Sequence, residues 1–196
     1  KVDFLPESVL IVGAGHGNLS AMGYFNAYTD LVPSAFIDYM QTTSHGYLMN
    51  LPKTGVSYLR EIFDLGCKKV FIHVPSKYLD KIKTEIEGIG FEFVSCIHKN
   101  ASISKSAVLG RSIMIGPNAV LDEYSEVKDF SLVSNNSILG CRAILGEGSM
   151  ILNGASVAHD ATIGRRTIIS DGARVAGRVK MGDNVLVGLN SSIACF

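Results

Sequence analysis

The C-terminal half of the sequence is an uninterrupted repeat with a period of six residues. From Ala101 to Phe196 it divides into sixteen consecutive hexapeptide units, which run from ASISKS to SSIACF. The third position of every unit is Ile, Leu, Val or Met, and the first position is always a small or β-branched residue. Self-similarity at one short, fixed period is typical of repeat proteins, so the units are predicted to stack on one another.

Each six-residue unit is long enough for one short strand and one turn, and its third residue then always points to the same side. A single unit cannot bury that side chain, whereas stacked units bury a continuous aliphatic column. Gly, Asn and Asp gather at the fourth to sixth positions, where a corner needs unusual backbone angles. The pattern predicts a β-solenoid and resembles the hexapeptide repeat of left-handed parallel β-helices, with three units per coil and about five coils.

The first 97 residues follow a different pattern, in which short apolar strands alternate with helices. Such alternation predicts a small parallel α/β sheet. We therefore expect a Rossmann-like domain over residues 1–97 and a left-handed β-helix over residues 98–196. The predicted strands are Ser8–Gly13, Ser34–Asp38, Lys69–Val74 and Phe91–Ile97, and the predicted helices are Asn18–Tyr28, Ser57–Leu65 and Ser76–Ile89.

Composition narrows the classes of partner. The 196 residues are 47% hydrophobic and carry no formal net charge, so a nucleic-acid partner is not expected. No apolar run approaches the roughly 18 residues of a membrane span, and no secretory signal begins the sequence, which predicts a cytoplasmic protein with no membrane partner. The four cysteines are expected to be reduced packing residues, because none has metal-ligand spacing: Cys67, Cys96, Cys141 and Cys195. No metal cofactor is expected.

A glycine-rich turn follows the first predicted strand. It reads Gly13, Ala14, Gly15, His16, and the next predicted strand ends at Asp38. Such a turn exposes backbone N–H groups at a positive helix end, which suits a phosphate, and a carboxylate about twenty residues later suits a sugar hydroxyl. Three interpretations remain open: a nucleotide-sugar site, which we favour, an NAD site, or a turn with no ligand.

The combination of this turn with a histidine in the solenoid resembles one bacterial family. The solenoid segment runs from Ile151 through Asn153 to His159 and Asp160, and glycines follow at Gly172, Gly177 and Gly188. These features resemble the sugar acyltransferases typified by PglD, an N-acetyltransferase of nucleotide 4-amino sugars, and NeuD, a sialic-acid O-acetyltransferase. The resemblance covers nearly the whole chain.

The resemblance implies an acetyl-CoA-dependent N-acetyltransferase of a nucleotide-linked amino sugar of the 4-amino-4,6-dideoxy type, working in bacterial glycan biosynthesis. It implies that His159 is the general base, that Asp160 supports it, and that the enzyme is a homotrimer with acetyl-CoA between neighbouring solenoids. The nucleotide sugar would bind at Gly13, Ala14, Gly15, His16 and Asp38. Acetyl-CoA would bind near Asn153, Ile168, Gly177, Gly188 and Leu189, where Gly177 is also the expected source of an oxyanion-binding N–H.

The sequence departs from the family in several places. The first turn is one residue shorter than usual, and the acidic pair common after the second strand is Asp38-Tyr39 here. A glycine that often follows the third strand is Pro75, and a second histidine near the acetyl group is Ile168. These departures leave the identity of the nucleotide and of the sugar open.

Several alternatives remain open as well. The chain could acetylate a sugar hydroxyl, or it could be a solenoid that binds sugar nucleotides without catalysis. Cys141 lies beneath His159 in the hexapeptide register and could act as a nucleophile. The other histidines are expected to have no role in the chemistry: His45 in a loop, His73 in strand packing and His98 at the domain junction. Consecutive residues of a strand point to opposite faces, so a pairing of His159 with Asp160 requires a bend or a carboxylate from another subunit.

Overall fold

The computed structural model describes residues 4–13, 16–40 and 45–195. The chain divides into two compact units, Lys1–Cys96 and Ile97–Phe196, which are called here the N-terminal unit and the solenoid unit. The division falls one residue before the expected boundary. No helix within the described ranges is long and apolar enough to cross a membrane.

A six-stranded sheet forms the centre of the N-terminal unit. The elements of this unit are β1 Ser8–Val12, α1 His16–Tyr28, β2 Val32–Asp38, β3 His45–Leu48, β4 Leu51–Gly55, a 3-10 turn Val56–Tyr58, α2 Leu59–Asp64, β5 Lys69–Ile72, α3 Ser76–Ile89 and β6 Glu92–Phe93. The strands lie in the order β3-β4-β2-β1-β5-β6, and every neighbouring pair is parallel except β3 with β4. The predicted strand Phe91–Ile97 is two strands, because β7 Cys96–Ile97 belongs to a solenoid sheet. The predicted parallel sheet is present, and β3 adds an antiparallel edge.

The hairpin formed by β3 and β4 was not expected from the sequence. Its turn, Met49-Asn50, has positive φ at both residues (51° and 64°), as the tightest hairpin turns require. Asn tolerates this backbone region, but Met does so only rarely, so the dipeptide carries none of the usual hairpin signal. His45, expected in a loop, is therefore the first residue of β3.

The core of the N-terminal unit is built on β1. All five residues of β1 are buried, as expected of a central parallel strand covered on both faces. Helix α3 contributes an apolar stripe at Leu79, Ile82 and Ile86, and it ends at Gly90, whose φ of 101° stops the helical path. Burial of each such side chain stabilises the fold by about 1.5–3 kcal/mol.

The solenoid unit contains the predicted repeat. The second and third residues of all sixteen hexapeptides form two-residue strands, from Ser102–Ile103 to Ser192–Ile193. Each strand pairs in parallel with the strand three hexapeptides later, as in the pairs Val120↔Ile138 and Leu121↔Leu139. Three units therefore complete one coil, and three parallel sheets form the sides of the solenoid. The third-position side chains fill the interior, and those from Ile115 to Val175 are all buried.

The corners of the solenoid depend on two positions of each unit. The sixth residue has positive φ in every unit from Ser112 to Asn190, and most of these residues are not glycine. The fourth-position glycines have another role, because they allow neighbouring coils to stack closely. A Cβ atom at Gly164, for example, would lie 2.4 Å from the carbonyl group of Gly182. The sequence therefore located the corners correctly, although the unusual backbone angle is confined to the sixth position.

Candidate active site

One corner of the solenoid carries both predicted catalytic residues. We call it the His159 corner; it consists of the fifth and sixth residues of the units that end at 124, 142, 160 and 178. The Nδ1 atom of His159 lies 2.8 Å from Oδ2 of Asp160. The φ of Asp160 is 58°, and this left-handed conformation bends the chain so that two consecutive side chains meet. The bend allows the pair to form within one chain.

Arg142 completes a row of three side chains at this corner. It lies one coil below Asp160, and its Nε and Nη2 atoms donate to Oδ1 and Oδ2 of Asp160 at 2.6 and 3.0 Å. The hydrogen bonds from Arg142, and then that from His159, hold the pKa of the Asp160 carboxyl group well below its usual range. Asp160 in turn raises the pKa of Arg142. The carboxylate therefore stays ionised and can only accept hydrogen bonds.

The space above the imidazole ring depends on Gly177, one coil further along. A Cβ atom at this position would lie 2.7 Å from Nε2 of His159 and 2.8 Å from Cε1. The side chain of His159 is 55% exposed, so a molecule outside the solenoid can reach the ring. With Nδ1 bonded to Asp160, Nε2 is the ring nitrogen left for chemistry.

Cys141, the alternative nucleophile, lies one coil below His159 and is only partly buried. Its sulfur accepts a long contact of 3.7 Å from Arg142. Cys67 and Cys96 are buried packing residues as expected, and burial raises the pKa of the Cys67 thiol to about 11 and that of Cys96 to about 12. Cys195 is exposed, so the expectation that it packs in the core is wrong. Within the described residues, no group of three His, Cys, Asp or Glu side chains is arranged to hold a metal ion.

The residues expected at acetyl-CoA do not all lie at the His159 corner. Gly177 does, but Asn153 and Leu189 are fifth-position residues of the corner that precedes it in the hexapeptide register, with Gly188 beside Leu189. Asn153 is held in a ladder, because it accepts a hydrogen bond from Ser134 at 2.7 Å and donates one to Asp171 at 2.7 Å. Leu189 is 69% exposed.

Ile168 belongs to a third location, the strand Ile168–Ile169 on one side of the solenoid. A single chain therefore separates the predicted acetyl-CoA residues into three groups: the His159 corner, a second corner and a side.

Three of the predicted nucleotide-sugar residues, Gly13, His16 and Asp38, follow or end parallel strands of the N-terminal unit. Gly13 follows β1 with φ 115°, and a Cβ atom there would lie 2.4 Å from Nδ2 of Asn18 and 2.5 Å from the carbonyl oxygen of His73. Ala14 and Gly15 lie outside the described residues, and His16 is the first residue of α1. Asp38 ends β2, accepts a hydrogen bond from the backbone N–H of Met40, and lies 3.3 Å from Nζ of Lys53.

Asn18 has a structural role that the sequence did not indicate. It stands where a dinucleotide site would have its third glycine, and its Nδ2 donates to the carbonyl oxygen of His73 at 2.7 Å. The Asn18 side chain thus ties the first turn of α1 to the end of β5. Its Oδ1 atom is buried without a hydrogen-bond partner among the described residues. Burial lowers the pKa of the His73 imidazole, as expected of a packing residue.

An aromatic pair spans these strand ends. Tyr39 follows β2 and Tyr78 lies in the first turn of α3, and their ring centroids are 4.9 Å apart. Since β1 lies between β2 and β5 in the sheet, the pair connects the segments that follow the two neighbours of β1. In open α/β sheets, ligands bind outside these strand ends, where the chain turns to opposite sides of the sheet. Sequence reasoning noted Tyr39 only as a departure from an acidic pair and did not identify Tyr78.

A separate apolar cavity of about 180 Å³ lies between β2, β4 and α2, with Ala35, Thr54 and Ile62 in its lining. None of the predicted site residues lines this cavity. Each unit therefore has its own candidate site, the strand ends in the N-terminal unit and the His159 corner in the solenoid unit.

Residues 142–177, which include Arg142, His159, Asp160 and Gly177, match the bacterial transferase hexapeptide family of six repeats. No curated protein sequence matches the chain. Several solved structures share its fold.

The acetyltransferase domain of PglB from Neisseria gonorrhoeae is 22% identical, with a TM-score of 0.82 over 96% of this chain and 92% of that domain. The same domain has been solved with acetyl coenzyme A. A histidine-to-alanine mutant of GDP-perosamine N-acetyltransferase from Caulobacter crescentus, in complex with CoA and GDP-perosamine, is 21% identical with a TM-score of 0.66, over 91% of this chain and 92% of that one. WeeI from Acinetobacter baumannii is 16% identical with a TM-score of 0.57, over 94% and 93%.

Proposed function

We propose that this protein is an acetyl-CoA-dependent N-acetyltransferase that acts on a nucleotide-linked amino sugar of the 4-amino-4,6-dideoxy type in bacterial glycan biosynthesis. The observation that carries the proposal is the hydrogen bond between His159 and Asp160 at an accessible solenoid corner, with Nε2 next to Gly177. The named activities and ligands of the PglB domain and of GDP-perosamine N-acetyltransferase support the same kind of reaction.

The reaction would be a direct transfer with His159 as the general base. The sugar amine attacks the thioester carbonyl carbon of acetyl-CoA, a C–N bond forms, and the C–S bond breaks. Nε2 of His159 accepts the proton that the amine loses and then donates it to the departing CoA sulfur. Imidazole suits this role because its ordinary pKa lies near 6.5, close to the working pH.

Asp160 would stabilise the imidazolium that forms during transfer. Since the ionised carboxylate can only accept, Nδ1 of His159 must carry a proton in their hydrogen bond, which leaves a lone pair on Nε2. The negative oxygen of the tetrahedral intermediate would be bound by a backbone N–H, for which we propose Gly177. The position of the ring supports that choice, because Nε2 lies 2.7 Å from where a Cβ atom of residue 177 would be.

The acetyl-CoA site would lie between two solenoids of a homotrimer. The proposed contacts Asn153, Gly188 and Leu189 lie at a different corner from His159, so a neighbouring subunit that brings the two corners together would complete the site. The exposure of Leu189 supports a contact outside its own chain. Ile168 would contribute from the side of the solenoid, which we propose to be a left-handed helix.

The N-terminal unit would bind the nucleotide part of the substrate as a Rossmann-like domain. Gly13, Ala14, Gly15 and His16 would present backbone N–H groups to the phosphates at the start of α1, and Asp38 would accept from a sugar hydroxyl. The position of Gly13 and Asp38 at neighbouring strand ends supports this assignment. Tyr39 and Tyr78 would offer an aromatic surface for the base.

A substrate screen tests the proposal. The protein is incubated with acetyl-CoA and, in separate reactions, with nucleotide-linked 4-amino sugars carrying UDP, GDP or dTDP and with sialic acid. Free CoA and product mass are then measured. We expect a product heavier by one acetyl group on nitrogen. An O-acetylated sialic acid would support the alternative hydroxyl acetylation and contradict the N-acetyl proposal. Binding of a sugar nucleotide with no CoA release from any acceptor would indicate the non-catalytic alternative.

A further inference from the structure

Arg142 contacts the proposed base only through Asp160. Nε and Nη2 of Arg142 donate to the carboxylate at 2.6 and 3.0 Å, and Oδ2 is shared between Arg142 and His159. The remaining nitrogen, Nη1, makes the long contact to the sulfur of Cys141. A two-point contact fixes both the position and the plane of a carboxylate, as a single hydrogen bond does not. The orientation of Asp160 is therefore set from the coil below.

The contact between Arg142 and Asp160 contributes little to the stability of the fold. The side chain of Arg142 is 60% exposed and that of Asp160 is 29% exposed, and such surface ion pairs contribute little to the free energy of folding. Arg142 is itself anchored, because its backbone N–H donates to the carbonyl oxygen of Glu123 at 2.9 Å, and its φ of 54° turns it into the corner. The ion pair therefore adds little to the stability of the fold, but it fixes the orientation of the Asp160 carboxylate. This indicates a role in the geometry of His159.

We propose that Arg142 is a positioning residue that holds Asp160 so that Nδ1 of His159 keeps its proton and Nε2 stays free to accept one. The proposal rests on the proposed function of His159 as the base. Without Arg142, the Asp160 carboxylate rotates about its side-chain bonds, the 2.8 Å contact is populated less, and the neutral imidazole exchanges its proton between the two nitrogens.

The chain offers a matched control at another corner. Arg165 and Asp183 form the same kind of ion pair between stacked coils, with Nε 3.3 Å from Oδ2. The Arg165 side chain is also 60% exposed, and no histidine lies at the fifth or sixth position of that corner. Arg165→Gln therefore removes an equivalent ion pair without touching the row of Arg142, Asp160 and His159.

The first test is made on the full-length protein without substrates. The imidazole ¹⁵N chemical shifts of His159 at alkaline pH report which ring nitrogen carries the proton. We expect mostly Nδ1–H in the wild type and in Arg165→Gln, and a mixture of the two forms in Arg142→Gln and in Asp160→Asn. Wild-type shifts in Arg142→Gln, or equal changes in Arg142→Gln and Arg165→Gln, overturn the proposal.

The second test is a double-mutant cycle on turnover. Arg142→Gln should lower kcat about 10-fold or more, with KM for both substrates unchanged, because a small misplacement of a reacting group is costly. Arg142→Lys should recover part of this loss. In the Asp160→Asn background, Arg142→Gln should cost nothing further, since both changes remove the same interaction. Independent, additive losses overturn the proposal. If the wild type turns over no substrate, the proposed function fails, and the ¹⁵N shifts still decide whether Arg142 positions His159.

Discussion

At the scale of single residues, the His159 corner depends on a backbone conformation that most residues avoid. Asp160 has φ 58°, and without that bend the side chains of two consecutive residues would diverge. Asp is one of the few residue types that adopt this conformation at modest cost, and here it also supplies the carboxylate. The repeat therefore produces, at an ordinary corner, the geometry that a histidine base needs.

Removal of the imidazole tests the base directly. His159→Ala should lower kcat by about 10²- to 10⁴-fold, the usual contribution of general base catalysis, with both ligand affinities retained. Asp160→Asn should cost less, because the imidazole remains. Stopped-flow or coupled assays of CoA release measure both. Turnover of His159→Ala within threefold of the wild type would exclude this residue as the base and restore Cys141 as a candidate.

Gly177 gives a second prediction at this scale. A methyl group there would meet the ring at 2.7 Å, so Gly177→Ala should displace the exposed imidazole and lower kcat by between about 10- and 100-fold. Gly182→Ala is the control, because a Cβ atom at that corner has no neighbour within 4 Å. Thermal unfolding should be similar in both variants. Equal activity of the two variants would show that the space above the ring has no role.

At the scale of secondary-structure elements, function in the N-terminal unit depends on the ends of β1, β2 and β5. Asp38→Ala should weaken binding of the nucleotide sugar about 10-fold or more, because a hydrogen bond to a charged group is lost. Affinity for acetyl-CoA should stay within twofold, which isothermal titration can measure. Asp30→Ala is the control, because Asp30 lies just before β2, at the other end of that strand from Asp38. Equal weakening of both ligands by Asp38→Ala would contradict the assignment.

His73 gives the unit a dependence on pH. Burial lowers the pKa of its imidazole below 6.5, so the unfolded chain binds the proton more readily than the folded one. The free energy of opening of β5 should therefore fall as pH decreases below about 6.5, and the fall should end at the pKa that His73 has in the folded state. Hydrogen exchange of β5 amides, converted to opening free energies at pH 7.5 and 5.5, measures this. The loss should be smaller in His73→Gln, and equal losses in both proteins would rule out His73 as the cause.

The sequence predicted the elements in which one residue pattern is repeated many times. It did not predict individual turns or side-chain contacts. The third-position aliphatic residues indicated the strands and three-unit coils of the solenoid, because every unit must bury the same side chain. The hairpin at Met49-Asn50 was missed because Met is an unusual residue for its turn. Arg142 was missed although the eighteen-residue register places it directly below Asp160, since side-chain pairing across coils depends on rotamers that the pattern does not specify.

At the scale of the whole molecule, the distribution of the proposed site predicts a trimer. His159 and Gly177 lie at one corner, whereas Asn153 and Leu189 lie at the corner that precedes it in the hexapeptide register. A ring of three solenoids brings unlike corners together in the same way at each interface. Sedimentation velocity at micromolar concentration should give a species of about three times the 21.0 kDa chain. A stable monomer would contradict a shared site.

Mixed trimers test whether the two corners act together. His159→Ala lacks the base, and Leu189→Asp places a charge at the proposed acetyl-CoA contact, so each variant alone should be nearly inactive. In a trimer that contains both variants, about one of the three interfaces pairs an intact His159 with an intact Leu189, as ring symmetry requires. Co-expression should therefore restore up to about one third of the wild-type kcat per chain. If the mixed trimers are as inactive as the separate variants, each site lies within one chain.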